Sequence, residues 1–141
     1  MGARRAGVRQ VIFASTGGAI YGEPEALPVT EDTPARPISQ YGCSKLAVER
    51  YLYLYNVQRG LDYVALRYPN VYGPRQDPHG EAGVTAIFAL KMIDGEPCTI
   101  FGDGTESRDY VYVGDVVEAR GQSIAVNPQK VSRDLAVGDG V

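Results

Sequence analysis

Length, composition and charge restrict the kinds of protein that this chain can be. Its 141 residues suit a single domain, and a hydrophobic content of 44% is ordinary for a globular protein. The formal net charge of −3 argues against nucleic acid or an anionic membrane as the partner. No apolar run approaches the roughly 20 residues that cross a bilayer. The two cysteines, Cys43 and Cys98, lack metal-binding or redox spacing. We therefore expect a cytoplasmic protein without a metal site.

The first predicted element is a buried strand over residues 8–14, which is followed by hydroxyl side chains and glycines. Ser15 and Thr16 come directly after the strand, and Gly17 and Gly18 come after them. In an open parallel sheet, ligands bind just beyond the carboxyl ends of the strands. Ser15 and Thr16 are therefore candidates for a ligand site, and the glycines allow a ligand to approach the backbone closely. Residues 23–40 are rich in proline and polar residues, which predicts a loop.

The next predicted element is a long helix over residues 41–59. It begins after Ser39 or Gln40, and Gly60 fits the glycine that often follows the end of a helix. The apolar residues of this helix lie on more than one stripe of its surface, so more than one side of the helix has to be buried. One side is expected to face the sheet, while the other faces either the rest of the chain or a partner subunit. These apolar residues are Leu46, Val48, Tyr51, Leu52, Leu54 and Tyr55.

Strands and helices continue to alternate through the rest of the chain. A strand is predicted over residues 62–68, in which Val64, Leu66 and Tyr68 alternate with Ala65 and Arg67. An amphipathic helix is predicted over residues 82–94, and a short strand over 98–101. Tyr110, Tyr112 and Val113 predict another strand, and Asp115 is a candidate N-cap for a helix over residues 116–125. This order predicts an α/β fold with a parallel sheet.

Tyr41 and Lys45 form the most informative pair of side chains. They are four residues apart, so in a helix they lie on one face, one above the other. A free tyrosine is a weak base at neutral pH, and a neighbouring positive charge favours its phenolate form. The pair is therefore suited to taking a proton from a sugar hydroxyl and returning it. The alternative is an ordinary solvated helix face.

Several motifs give the chain a resemblance to a known family. Ser15-Thr16, the Tyr41–Lys45 pair and the run from Leu66 to Arg75 (LRYPNVYGPR) resemble the extended short-chain dehydrogenase/reductases, the NAD-dependent epimerase/dehydratase family. Residues 80–84 (GEAGV), 100–104 (IFGDG) and 107–113 (SRDYVYV) support the same family. The resemblance extends over roughly residues 11–119, and it is closest to the bacterial UDP-glucose 4-epimerases.

The resemblance implies only part of the family's fold. Its members begin with a Gly-rich turn, G-x-x-G-x-x-G, that holds the dinucleotide pyrophosphate, and no such turn occurs in these 141 residues. We therefore expect a fragment: a partial Rossmann-like parallel sheet, its C-terminal half, with part of a small substrate-binding region. The expected division places the half Rossmann domain in residues 1–75, part of the nucleotide-sugar region in 76–108, and a returning strand, helix and tail in 109–141.

The resemblance also implies catalytic and cofactor-binding roles. It makes Tyr41 the acid and base, and Thr16, with Ser15 as the second candidate, the hydroxyl that positions the sugar's 4-hydroxyl. Lys45 lowers the pKa of that phenol in the family and binds the nicotinamide ribose. Tyr41, Lys45 and Tyr68 are the implied contacts to NAD. Hydride would leave sugar C4 and return to its other face through a 4-keto intermediate.

Further residues are implied to bind the UDP-hexose substrate, although several of them also have an ordinary structural explanation. A guanidinium donates paired hydrogen bonds to phosphate, but Arg108 can instead pair with Asp109 or Glu106, and Arg75 with Asp77. Phe101 serves equally as a core aromatic. The complete implied set is Asn70, Arg75, Gly83, Val84, Phe101 and Arg108.

The resemblance favours epimerisation over the dehydration that some relatives perform. Sugar 4,6-dehydratases carry an Asp-Glu pair directly after the strand's threonine, whereas this chain has Gly17-Gly18 there, and glycine cannot move protons. The expected function is a UDP-glucose/UDP-galactose 4-epimerase, with the isolated fragment inactive. Two alternatives stay open: a UDP-glucuronate epimerase or decarboxylase, and a non-catalytic remnant that binds a nucleotide sugar or a partner weakly. The helix over residues 41–59 would form a homodimer contact.

Overall fold

The computed structural model describes residues 2–79, 83–105, 107–125 and 131–134. Five helices and five strands are interspersed along these residues, all of the strand pairs are parallel, and the α/β prediction is confirmed. The helices are α1 (Gly2–Arg5), α2 (Gly17–Ile20), α3 (Gln40–Arg59), α4 (Val84–Ile93) and α5 (Val113–Ala125). The strands are β1 (Gln10–Thr16), β2 (Asp62–Tyr68), β3 (Asn70–Tyr72), β4 (Tyr110–Tyr112) and β5 (Val131–Asp134).

The main sheet has the order β1-β2-β5, with β2 in the centre. The register of β1 and β2 aligns Gln10 with Asp62 and Thr16 with Tyr68, so both strands end at the same edge of the sheet. Helix α3 is the crossover between these two parallel strands. A second sheet pairs β3 with β4, and aligns Asn70 with Tyr110.

The core is centred on β2, because this strand is covered on both faces. Val64, Ala65 and Leu66 are buried, and so is the following Arg67. A strand buried on both faces is a nearly continuous apolar run rather than an alternating one. Sequence reasoning predicted alternation here, with Val64, Leu66 and Tyr68 against Ala65 and Arg67. The structure corrects this, since the central residues of both faces are buried.

Helix α3 has clear stop and start signals, which explains why its bounds were predictable. The Ser39 hydroxyl accepts a hydrogen bond from the backbone N–H of Gly42 (3.0 Å), as an N-cap does. Gly60 closes the helix with a left-handed backbone, φ 62°. Its N–H donates to the carbonyl of Asn56 (2.8 Å), and glycine suits this position because it adopts the left-handed backbone without a steric penalty.

The long loop after α2 returns to the place where it leaves the core. Gly22 has φ 68°, and a Cβ atom built there would lie 2.1 Å from the backbone oxygen of Arg36. The two ends of the excursion over residues 23–35 therefore touch through backbone atoms. Only glycine permits both the positive φ and this close approach.

Some predicted boundaries are corrected by the structure. Strand β1 begins and ends two residues later than predicted, so Ser15 and Thr16 are its last two residues. Val113 belongs to α5, not to β4, and Asp115 lies in the first turn of that helix instead of capping it. Helix α4 begins at Val84, and the predicted start at Ala82 falls outside the described residues.

The strand predicted over residues 98–101 is wrong. These residues form no strand, and none of the described strands lies beside them. An extended segment needs a neighbour for its backbone N–H and C=O groups. β-Branched and aromatic side chains alone are therefore not enough to form a strand here. The short elements α2 and β3 were missed by sequence reasoning.

Candidate functional site

The carboxyl end of β1 presents two buried hydroxyl side chains that are used differently. Ser15 donates a hydrogen bond to Glu49 Oε1 (2.5 Å). Thr16 is the last residue of β1 and the N-cap position of α2, but its side chain makes no capping hydrogen bond. Within the described residues, the Ser15 hydroxyl is therefore engaged, and the Thr16 hydroxyl is not used to close a helix.

Helix α3 brings Tyr41 and Lys45 to the same edge of the sheet. Lys45 Nζ donates to the backbone oxygen of Ala14 (2.8 Å), one residue before Ser15. The same ammonium nitrogen lies 5.4 Å from the centroid of the Tyr41 ring and 5.1 Å from that of Phe13. Tyr41 is 55% exposed, so its phenol is accessible to a ligand. A phenol, an ammonium group and the end of β1 thus meet in one region.

Glycine at position 42 sets how closely α3 approaches the preceding segment. Gly42 is buried, and a Cβ atom there would lie 2.4 Å from the Ala19 oxygen and 2.8 Å from Pro37 Cβ. Real Cβ atoms essentially never come so close to a backbone oxygen. Packing therefore requires glycine at position 42, where the missing side chain lets the first turn of α3 lie against α2.

A buried ion pair lies directly behind this site, and sequence reasoning missed it. Arg67 Nη2 donates to Glu49 Oε2 (2.7 Å) and Arg67 Nε donates to Glu49 Oε1 (3.1 Å). The remaining guanidinium nitrogen, Nη1, donates to the Tyr21 hydroxyl (2.7 Å). The exposed fractions of the two charged side chains are only 8% and 9%. Glu49, Arg67, Ser15 and Tyr21 therefore form one network, called the Glu49–Arg67 network below.

The network holds Arg67 in its charged form. Burial alone would lower the pKa of this guanidinium, but its hydrogen bonds to Glu49 and Tyr21, and the charge of Glu49, outweigh burial and raise the pKa above the ordinary value. A signal for this pair was present in the sequence. An arginine that follows Val64-Ala65-Leu66 in a buried strand requires a carboxylate partner.

Tyr68 ends β2 next to Thr16, its register partner on β1. Its hydroxyl is buried and has no hydrogen-bond partner among the described residues. Burial raises the pKa of the Tyr68 phenol, while the positive charge of Arg120 partly opposes the increase. Tyr68 therefore keeps its proton over the physiological pH range.

Asn70 lies beside the site but has a structural task as well. Its side-chain amide donates to the backbone oxygen of Asp109 (2.9 Å), and its backbone N–H donates to the same oxygen (3.1 Å). These bonds join β3 to the segment that enters β4. One amide hydrogen and the Asn70 side-chain oxygen are left for a ligand.

The other predicted substrate residues are spread over loops and one helix end. Arg75 is exposed and has a left-handed backbone, φ 71°, whereas Asp77 accepts a hydrogen bond from the His79 backbone (2.9 Å). Gly83 is the N-cap of α4 and Val84 its first residue. The described contacts do not bring this group together with Tyr41 and Lys45.

Phe101 and Arg108 flank a tight turn ahead of β4. Phe101 is 89% exposed, so it is not a core aromatic in this structure. Within the turn, Asp103 accepts hydrogen bonds from the Thr105 backbone (3.1 Å) and hydroxyl (2.6 Å), and these lower the pKa of its carboxyl group. Arg108 Nη1 donates to the Ser107 backbone oxygen (2.8 Å).

The described residues contain no group of three or more His, Cys, Asp or Glu side chains that could hold a metal ion. Among the described helices, none combines the length and the apolarity that crossing a membrane requires.

Comparisons with known proteins give one consistent family. Residues 1–136 match the NAD dependent epimerase/dehydratase family. A putative UDP-glucose 4-epimerase from Methanocaldococcus jannaschii is 54% identical over 82% of this chain. The crystal structure of UDP-glucose 4-epimerase with UDP-glucose from Thermotoga maritima covers 86% of the chain at 52% identity and a TM-score of 0.84. The Thermus thermophilus UDP-glucose 4-epimerase complex with NAD covers 99% of it at 50% identity and a TM-score of 0.83.

The matches cover most of this chain but less than half of each relative. The chain spans 38% of the Methanocaldococcus jannaschii protein, 40% of the Thermotoga maritima structure and 46% of the Thermus thermophilus structure. This chain thus corresponds to less than half of the length of each of these relatives.

Proposed function

Because the chain belongs to the NAD dependent epimerase/dehydratase family, we propose that it is the catalytic and sugar-binding part of a UDP-glucose 4-epimerase. The reaction would interconvert UDP-glucose and UDP-galactose with NAD as the cofactor. The observation that carries this proposal is the meeting of Tyr41 and Lys45 at the carboxyl end of β1, where the Lys45 ammonium group lies 2.8 Å from the Ala14 oxygen. The proposed location of the protein is the cytoplasm.

The residues present fit one side of the site for the nicotinamide ribose. Lys45 uses one of its three N–H donors for Ala14, so two remain for ribose hydroxyls. The Tyr68 hydroxyl, buried without a partner among the described residues, lies on the strand beside Thr16 and is a further candidate contact. When bound there, NAD would supply an acceptor and donor of hydride.

Tyr41 performs the proton transfers of the proposed reaction. Its phenolate takes the proton from the 4-hydroxyl group as the sugar is oxidised at C4, and returns it when C4 is reduced from the other face. A positioned acid–base group contributes about 100- to 10,000-fold to such a step. The Lys45 ammonium group lies 5.4 Å from the Tyr41 ring centroid, on the same face of α3.

Thr16 is the proposed partner of the sugar's 4-oxygen. A hydroxyl both donates and accepts, so it can follow an oxygen that changes from alcohol to ketone and back. Ser15, the second candidate, already donates to Glu49, and this favours Thr16 for the role. Gly17 and Gly18 follow it, and neither can supply the additional acid and base that dehydration requires.

The substrate's nucleotide part is proposed to lie toward β3, β4 and the loops. Asn70 would use its free amide hydrogen and oxygen, and Arg75 and Arg108 would approach the diphosphate. The backbone of Gly83 and Val84 would meet the uracil. Phe101, which is almost fully exposed, would pack against that ring.

The exposed side of α3 is the proposed homodimer contact. Large apolar or aromatic side chains are exposed along its outer surface, and they include Val48, Tyr51, Leu54, Tyr55 and Val57. Isolated exposed apolar residues are common, but a row of them along one helix is typical of an interface.

The test uses a hybrid enzyme, because the chain spans less than half of its relatives. This chain replaces the matching segment of the Thermotoga maritima enzyme, and conversion of UDP-galactose to UDP-glucose is measured. The hybrid is expected to turn over, and Tyr41→Phe to lower kcat by at least about 100-fold. A folded hybrid whose turnover survives Tyr41→Phe would contradict the proposal, and nucleotide-sugar binding without turnover would favour the non-catalytic alternative.

A further inference from the structure

The Glu49–Arg67 network has no part in the proton transfers described above, yet it lies between the catalytic helix and the sheet. We propose that Glu49 and Arg67 are positioning residues: they fix α3 on β1 and β2, and so determine where Tyr41 and Lys45 stand relative to Thr16. This inference rests on the proposed function, because its effect on turnover is exerted through Tyr41.

Spacing along α3 connects the ion pair to the catalytic residues. Tyr41, Lys45 and Glu49 follow one another at intervals of four residues, so they form one row on the helix. At a rise of about 1.5 Å per residue, Glu49 lies about 12 Å along the axis from Tyr41. Lys45 contacts Ala14, and Glu49 contacts the adjacent Ser15. Two successive members of the row are therefore bonded to two successive residues of β1.

The network also ties together the two strands that end at the site. Ser15 and Arg67 are register partners on β1 and β2, and both bond to the Glu49 carboxylate. Arg67 extends the network to Tyr21, which is buried just after α2. One carboxylate thus connects α3 with both strands, and through Arg67 with the segment that follows Thr16.

No large apolar side chain of α3 is fully buried. The buried residues of α3 are Gly42 and Glu49, a glycine and a charged residue. Its outer surface carries exposed aromatic and aliphatic side chains, which can pack in many orientations. A bidentate arginine–carboxylate pair, in contrast, fixes both the distance and the rotation of the groups that it joins.

Energetics favour a geometric role for the pair over a stabilising one. Desolvation of two charges offsets much of their attraction, so a buried pair can often be replaced by apolar residues without loss of stability. Every nitrogen of the Arg67 guanidinium and both oxygens of Glu49 are engaged. Glu49 therefore has little capacity to exchange a proton with substrate, and its influence on the reaction is indirect.

The decisive experiment removes both charges at once in the hybrid enzyme. The double variant Glu49→Met/Arg67→Met keeps the net charge and similar side-chain volumes, so it changes geometry more than electrostatics. We expect a folded enzyme with a kcat about 100-fold lower, as small misplacements of reacting groups produce, and with a KM for UDP-galactose close to that of the parent. Arg50→Met, at the exposed neighbouring position on α3, is the matched control and should leave kcat unchanged.

A folded double variant that keeps the parental kcat would overturn the proposal, and so would a loss confined to KM. If the double variant does not fold, Glu49→Gln replaces it. That side chain retains an oxygen for Ser15 but loses the charge and one of the two arginine bonds. The expected result is again a lower kcat at an unchanged KM, and a parental kcat would overturn the proposal.

A second measurement on the 141-residue chain separates this inference from the proposed function. Acetylation rates of Lys45 and of Lys91, an internal control on α4, are followed by mass spectrometry. In Glu49→Gln, Lys45 should react faster relative to Lys91 than in the parent, because its contact with Ala14 is released. An unchanged ratio would contradict the positioning role. If the hybrid has no turnover at all, the proposed function fails while this ratio still decides the inference.

Discussion

Ser15 and Thr16 are adjacent residues with hydroxyl side chains, but their surroundings assign them different tasks. The Ser15 hydroxyl donates to a buried carboxylate, whereas Thr16 closes β1 without capping the helix that follows. A donor that is bound to a carboxylate is a poor partner for a substrate oxygen, because moving it would leave the carboxylate less well satisfied.

The first prediction compares these two positions in the hybrid enzyme. Thr16→Val, which keeps the shape but removes the hydroxyl, should lower kcat by about 100-fold, the scale of losing one donor to a developing oxyanion. Ser15→Ala should lower the free energy of unfolding by about 1 kcal/mol and reduce kcat less than Thr16→Val does. Steady-state kinetics and urea unfolding give both quantities. The reverse order of kcat losses would assign the role to Ser15.

The second prediction concerns the buried hydroxyl of Tyr68, which has no partner among the described residues. Removing an unsatisfied buried polar group relieves its desolvation cost, so Tyr68→Phe should leave the 141-residue chain as stable at neutral pH or more stable by up to about 1 kcal/mol. Urea unfolding at pH 7 measures the difference. A clear loss of stability would show that the hydroxyl has a partner.

The same residue predicts a pH dependence. Burial raises the pKa of Tyr68 in the folded chain, so the unfolded chain releases this proton first, near its ordinary pKa of about 10. The stability of the chain is thus independent of this proton below that pH, and it falls as pH rises toward the folded pKa. Unfolding between about pH 9 and 11 should show a shallower decline for Tyr68→Phe than for the parent. The pKa of Tyr63 is also raised by burial, but this residue is present in both proteins and does not affect the comparison.

At the scale of elements, the approach of α3 to α2 depends on Gly42. The third prediction is that Gly42→Ala lowers the free energy of unfolding by about 1–3 kcal/mol, the cost of overpacking, because the new methyl group would meet the Ala19 oxygen. In the hybrid it should also lower kcat, since Tyr41 is the preceding residue. Gly18→Ala on α2, where a Cβ atom meets nothing within 4 Å, is the control. Equal stability of the two variants would contradict this packing argument.

The elements that sequence reasoning predicted well have local causes. Helix α3 was predicted to within one residue because Ser39 and Gly60 mark its ends, and β2 was predicted over its observed range. Capping and a run of buried apolar residues are readable in a short window of sequence. The absent strand over residues 98–101 has the right composition, but it depended on a neighbour that sequence does not specify.

The candidate site was predictable in part for the same reason. Tyr41 and Lys45 lie on one helix, so their spacing alone places them together. Glu49 and Arg67 lie on different elements and meet only after β2 pairs with β1. Their pairing could be suspected from a charged residue within a buried strand, but its partner could not be chosen from the sequence, because the chain contains 17 acidic residues.

At the scale of the whole molecule, β1 is an edge strand of the described main sheet. Among the described strands, β2 is its one neighbour, and a free strand edge can pair with other chains. The fourth prediction is that the 141-residue chain alone is marginally stable and associates, and shows no epimerase turnover with added NAD. Light scattering after size-exclusion chromatography, calorimetry and the epimerase assay test it. A monomer with a sharp, reversible transition would contradict it.

The backbone contact between Gly22 and Arg36 has a consequence for how this fold tolerates change. Because residues 23–35 leave and rejoin the core at one point, a change in the length of this loop does not have to move the rest of the molecule. This excursion is a natural place for insertions, deletions or a grafted epitope, since the closure entropy of such a loop grows only slowly with its length. Divergence between homologues should accumulate there while the hydroxyls of β1 and the start of α3 keep their relative positions.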